Sequence, residues 1–121
     1  MTQQADIAEA FCTHHFSEAY PHLADDVRWV LVGGATLTGR QEVIAACERT
    51  FEELASVTTR VRRLRVIDAD GSAVVDSITE YHEPGGVVSV VASCDIFDFA
   101  GGRIDEITSY TVELTEPVPG T

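Results

Sequence analysis

SCDIFDFAGGRIDEITSY, residues 93–110, reads as two β-strands joined by a turn at Gly101-Gly102. Alternation puts Ser93, Asp95, Phe97 and Phe99 on one face of the first strand and Cys94, Ile96 and Asp98 on the other. Both faces are largely apolar, so Asp95 falls between hydrophobic layers rather than on a solvent side. A carboxylate there is costly to bury unless something is gained.

Outward from this hairpin, the second half of the chain is all strand. TTRVRRLRVIDADG closes at Asp70-Gly71, SAVVDSITEYHE at Pro84-Gly85-Gly86, and VVSVVASCDIFDFA at Gly101-Gly102, with RIDEITSYTVEL following. Turn residues between successive β-rich runs predict an antiparallel meander. The first half is different. Ile7, Ala8, Phe11, Cys12, Phe16 and Ala19 recur at helical spacing over residues 5–20, and Pro21 stops that helix. VRWVLV, residues 27–32, is a short strand ended by Gly33-Gly34. Thr38 is expected to cap a second helix over residues 39–54, with Gln41 reaching back and Val43, Cys47, Phe51 and Leu54 as its stripe. Segregated helices and strands predict an α+β domain: a curved antiparallel sheet with helices over its concave face and a pocket between the layers. The tail EPVPGT is expected to fray.

Composition excludes several partners. A chain of 121 residues is one domain, here 1–121, and its 45% hydrophobic content is that of a globular protein. A net charge of −12 argues against nucleic acid or an anionic membrane surface, which need a basic patch. The one basic cluster, Arg60, Arg62, Arg63 and Arg65, reads as a solvated or interface face. Cys12, Cys47 and Cys94 are too scattered for a disulfide framework or a zinc site and read as small core residues. MTQQADIAEAF lacks a signal-peptide pattern and no apolar run would span a bilayer, so a cytoplasmic location is expected. GGATLTG lacks the context of a phosphate-binding loop.

LADDVRWVL, LTGRQEVIAA and DIFDFAGGRIDEITSYTVEL carry a resemblance that runs from Ile7 to Leu114. The chain resembles the nuclear transport factor 2-like superfamily, whose cone-shaped α+β fold is shared by ketosteroid isomerases, SnoaL-like polyketide cyclases and limonene epoxide hydrolases. The resemblance places Asp95 where ketosteroid isomerases keep a protonated acid that hydrogen-bonds the developing oxyanion; the alternative is a bond to nearby backbone or to Ser93. Glu80 falls near a pocket aspartate of the epoxide hydrolases and would pair with Asp95 for acid/base work; the alternative is a solvated partner of Arg60 or Arg62. Leu31 stands where ketosteroid isomerases carry their base, and Ser109 where cyclases and epoxide hydrolases carry a last-strand aspartate.

The first-helix tyrosine of the family is absent; Phe11, His14 and His15 occupy its region. The adjacent histidines lie about 100° apart on a helix, poorly set to share a metal, but one of them is a candidate for the missing base. Phe11, Trp29, Leu31, Phe51, Ile78, Val91, Ser93, Phe97 and Ser109 make up the expected pocket wall. The ligand implied is a small apolar molecule, polycyclic ones included, with a carbonyl or hydroxyl, and no metal or organic cofactor is expected. Isomerisation, aldol-type cyclisation and epoxide opening are the candidate reactions; the alternative is a non-catalytic ligand-binding or dimerisation module. Val88, Val90, Ala92, Cys94 and Ile96 have no helix to cover them, which predicts a homodimer through that face.

Overall fold

In chain order the elements are α1 (Gln3–Cys12), α2 (Phe16–Ala19), a 3₁₀ turn (Tyr20–His22), β1 (Leu23–Leu31), β2 (Thr36–Thr38), α3 (Arg40–Glu53), β3 (Thr58–Ala69), β4 (Ser72–His82), β5 (Val88–Ala100) and β6 (Arg103–Leu114). They come from a computed structural model that describes residues 2–114; the tail EPVPGT lies outside the described residues. The predicted α+β architecture is present, with three differences in detail.

The first concerns the helix expected over residues 5–20, which is broken. Thr13 donates its hydroxyl to Glu9 O at 2.8 Å, a side-chain bond that competes with continuing the ladder. His14 then takes φ 67°, the left-handed region that few residues other than glycine adopt. His15 starts the short α2. The break turns the chain so that Phe16 packs edge-on against Phe11, 5.2 Å between ring centres.

The second concerns the start of α3. Thr38 is not its cap: it belongs to β2 and pairs with Arg28, while Gly39 at φ 91° occupies the cap position. Sheet pairing holds the Thr38 backbone extended. Glu42, not Gln41, reaches back and accepts the Thr38 N–H at 3.1 Å.

The strands form one sheet in the order β2-β1-β6-β5-β4-β3. Hairpins make β3 to β6 antiparallel as predicted, but β1 runs parallel to β6, so the curved sheet is mixed. No hairpin links these two strands, and α3 with the whole meander separates them in sequence, so nothing local imposes the antiparallel sense. Helices α1 and α3 pack on one face. Between the layers Leu23, Val27, Val43, Cys47, Val75, Phe97, Ile104 and Ile107 are fully buried.

Register decides which side chains meet the helices. On β4 the odd positions Ala73, Val75, Ser77, Thr79 and Tyr81 share a face with Phe97, Asp95, Ser93 and Val91 of β5. The even positions Asp76, Ile78, Glu80 and His82 project from the opposite, outer face. A bulge at Arg62 on β3 puts it, with Arg60, against Glu80, while Arg63 and Arg65 bond Asp76 at 2.8 and 3.4 Å. The arginine cluster is therefore an ion-pair network on the outer face.

Candidate active site

A cavity of about 170 Å³ opens between the α1–α2 break and the inner sheet face. The helical side contributes Phe11, Cys12, His14, Phe16 and, from α3, Thr50; the sheet contributes Trp29, Leu31, Ser77, Thr79, Tyr81, Val91, Ser93, Asp95, Ser109 and Thr111. A separate, wider groove of about 660 Å³ lies beside Thr2 and the turns at Asp70-Gly71 and Gly101-Gly102. There Thr2 and Gln4 bond Asp68 at 2.6 and 2.7 Å. The smaller cavity is the one that gathers the expected titratable residues Asp95 and His14.

Asp95 is only 9% exposed and forms part of that cavity's wall. Ser109 sits directly across the β5–β6 ladder and donates its hydroxyl to Asp95 Oδ1 at 2.5 Å. Ser93, two residues back on the same face, donates to Oδ2 at 2.7 Å. Trp29 Nε1–H donates to Ser109 Oγ at 2.9 Å. Indole N–H can only donate, so the chain of bonds has one direction: Trp29 to Ser109 to Asp95. Cys12 also lines the cavity; burial, and then the Asp95 carboxylate, push its thiol well above the usual range. Asp95 is thus arranged as an acceptor, with two hydroxyl donors turned toward it.

His14 and Tyr81 face this acid. Tyr81 OH and His14 Nε2 are 3.3 Å apart, and the two rings meet edge-on with centres 5.8 Å apart. Burial lowers the His14 imidazole below its ordinary 6.5, with help from neighbouring His15 and partial opposition from Asp95. Burial likewise raises the Tyr81 phenol, followed by the effects of Asp95 and Cys12. The direction of their shared bond follows the imidazole tautomer. When Nε2 carries the hydrogen, the Tyr81 O–H is left free to point into the cavity.

Of the residues expected at the site, Asp95, His14, Phe11, Trp29, Leu31, Val91, Ser93 and Ser109 line this one cavity. Others lie elsewhere. Phe97 is completely buried behind Phe11, 5.5 Å between ring centres, and belongs to the core. Phe51 is 58% exposed on α3. Ile78 and Glu80 have the wrong parity on β4: with side chains alternating across a strand, neither can share the face of Ser77, Thr79 and Tyr81. Glu80 is 4% exposed, covered instead by Arg60, Arg62 and His82, the last 2.6 Å away. Bonds from Arg62 and then His82 hold its carboxyl below the ordinary range. Glu80 and Asp95 therefore do not form the expected acid/base pair. His15 is exposed, its Nδ1 3.0 Å from Thr13 Oγ1.

The sequence reading missed Cys12, Phe16, Thr50, Ser77, Thr79, Tyr81 and Thr111 as lining residues. The signal for Thr79 and Tyr81 was present in strand alternation, once β4 and β5 are paired with Val75 opposite Asp95. Cys12 and Phe16 carried no such signal, because the break at His14 decides where they point. Among the described residues no cluster of three or more potential metal ligands occurs, and no helix is long and apolar enough to cross a membrane.

A curved, unclosed six-stranded sheet with helices over one face and an acid in the cavity between them defines a nuclear transport factor 2-like protein. The chain belongs to the SnoaL-like domain family, whose pattern it matches over residues 5–107. No curated protein matches it. Among solved structures it is similar to a nuclear transport factor 2-like protein of unknown function from Cytophaga hutchinsonii, with 26% identity, a TM-score of 0.78, and coverage of 88% of this chain and 94% of that one. It is also similar in fold to a proposed polyketide cyclase from Xanthomonas campestris (23% identity, TM-score 0.68, coverage 89% and 90%). A third is a ketosteroid isomerase-like protein from Catenulispora acidiphila in complex with trimethylamine (19% identity, TM-score 0.68, coverage 91% and 86%).

Proposed function

We propose that this chain binds a small molecule in the Asp95 cavity and moves a proton on it, with Asp95 as the acceptor. The observation that carries the reading is the Trp29–Ser109–Asp95 relay, which presents a buried carboxylate, oriented by donors, to a cavity walled by aromatic rings and hydroxyl side chains. In an isomerisation, Asp95 takes a proton from a C–H next to a carbonyl. The electron pair left behind moves onto the carbonyl oxygen, which Tyr81 O–H can meet; where the ligand carries a β,γ double bond, the proton returns at the γ-carbon as that bond moves into conjugation. No co-reactant is needed for that sequence. Family membership supports small-molecule chemistry, and the trimethylamine complex of the Catenulispora protein supports a ligand of modest size. At about 170 Å³ the cavity is smaller than drug-sized sites of roughly 300 Å³ and above, so an enclosed polycyclic ligand is a poor fit.

One observation favours a second reading. Leu31 lines the cavity where a ketosteroid isomerase places its base, which suits a module that binds without turnover. Proton exchange separates the two: a small cyclic ketone such as cyclohexanone, incubated in D₂O, should gain α-deuterium faster with the protein than with Asp95→Asn. Equal exchange rates would leave only binding. The reading includes a homodimer through the outer face, supported by exposed Val88, Tyr110 and Val112 on adjacent strands.

A further inference from the structure

The cavity has an unbalanced charge. Asp95 is a buried carboxylate, and buried carboxylates are ordinarily paired with a cation. Here the side chains that bond it are two neutral hydroxyls, Ser93 and Ser109. No arginine is among the residues lining the cavity, and the chain contains no lysine. His14, the one lining side chain able to become positive, is held below its ordinary range by burial and so is uncharged at neutral pH. The remaining walls are rich in aromatic rings: Phe11, Phe16, Trp29 and Tyr81. Rings beside a carboxylate favour a positive ligand, because ring faces attract cations and the carboxylate supplies the countercharge. The chain's −12 charge raises the local concentration of cations as well.

We infer that the Asp95 cavity takes a small organic cation of the methylated-ammonium kind, seated against Asp95 and the aromatic wall. The inference rests on the reading of this cavity as the ligand site and adds the charge of the ligand to it. Size agrees: about 170 Å³ corresponds to roughly five or six water-sized groups, enough for one nitrogen and its methyls.

The test uses three probes of similar shape and different charge: tetramethylammonium, tert-butanol and pivalate, at one fixed ionic strength. Trp29 is the only tryptophan, and its indole is bonded into the site, so its fluorescence reports the cavity alone. Tetramethylammonium should shift the emission saturably and bind about tenfold more tightly than tert-butanol. Pivalate should not bind. In Asp95→Asn the preference for tetramethylammonium over tert-butanol should vanish. In Asp98→Asn, which makes the same change of net charge with the opposite strand parity and a Ser72 partner, it should persist. If tert-butanol binds wild type as tightly as tetramethylammonium, the cation inference is overturned while the ligand-site reading stands. If none of the three alters Trp29, both are overturned. Should Asp95→Asn fail to fold by circular dichroism, the wild-type series still decides the charge preference.

Discussion

Ser109 faces Asp95 across the β5–β6 ladder and hands it a hydrogen bond while accepting one from Trp29. Register alone brings the two residues together, and the hydroxyl links a strand-β1 indole to a strand-β5 acid. Ser109→Ala removes the bridge from both ends. The buried indole N–H and carboxylate oxygen each lose a partner, which typically costs about 1–3 kcal/mol. Thermal or denaturant unfolding should show that loss, and the Trp29 indole N–H resonance should move. Unchanged stability together with an unchanged resonance would contradict the relay.

Asp95 and Asp98 lie on opposite faces of β5. Asp95→Asn keeps the shape but removes the proton acceptor, so ligand affinity or turnover should change sharply. Asp98 accepts from Ser72 at 2.7 Å on the other face, and Asp98→Asn should leave the cavity as it was. Equal effects of the two substitutions on ligand binding would count against any special role for Asp95.

His14 combines burial with left-handed backbone. Its depressed folded-state value means that the unfolded chain takes up the proton first as pH falls below about 6.5. The stability associated with neutral His14 is therefore fully present above that value and lost on acidification. His14→Asn accepts the same backbone angle and does not titrate. Its melting temperature should fall less than that of wild type between about pH 7 and 5. A parallel decline in both proteins would show that His14 is not the titrating group.

On the outer face, Glu80 is held ionised by Arg62 and His82, with Arg60 3.6 Å away. Because its folded-state value lies below the ordinary 4.5, its contribution is present above that pH and fades as pH falls through the lower, folded value. Glu80→Gln leaves two arginines without their shared anion. It should lower the melting temperature at neutral pH and flatten the acid decline. The cavity ligand series should be unaffected, since Glu80 lies on the other side of the sheet.

Val112 is 60% and Tyr110 48% exposed on β6, beside the outward Val88, Val90, Ala92, Cys94 and Ile96 of β5. An apolar patch of this extent is uncommon on a monomer. Sedimentation at micromolar concentration should give a dimer mass, and Val112→Glu should shift it to monomer. A wild-type monomer would remove the proposed interface.

The sequence by itself determined the four-strand meander, the helical character of the first half and much of one wall of the site. Turn residues at Asp70-Gly71, Pro84-Gly85-Gly86 and Gly101-Gly102 mark the hairpins, and a hairpin fixes antiparallel sense and register. Within β5, alternation alone put Val91, Ser93 and Asp95 on one face. What it left open was every relation between segments distant along the chain. The parallel pairing of β1 with β6 brings Trp29 to Ser109, and no local rule specifies it. Glu80 looked like a partner for Asp95 because both are acids on neighbouring strands, but pairing Val75 with Asp95 sets their parities apart and sends Glu80 to the arginines. Thr38 had the chemistry of a cap, and pairing with Arg28 claimed it for the sheet. Helical spacing continued through His14, where a Thr13 side-chain bond and one left-handed residue ended α1 and turned His14 into the cavity. Local patterns are set by neighbours within a few residues; the cavity is made by strands and a helix break that meet only after folding.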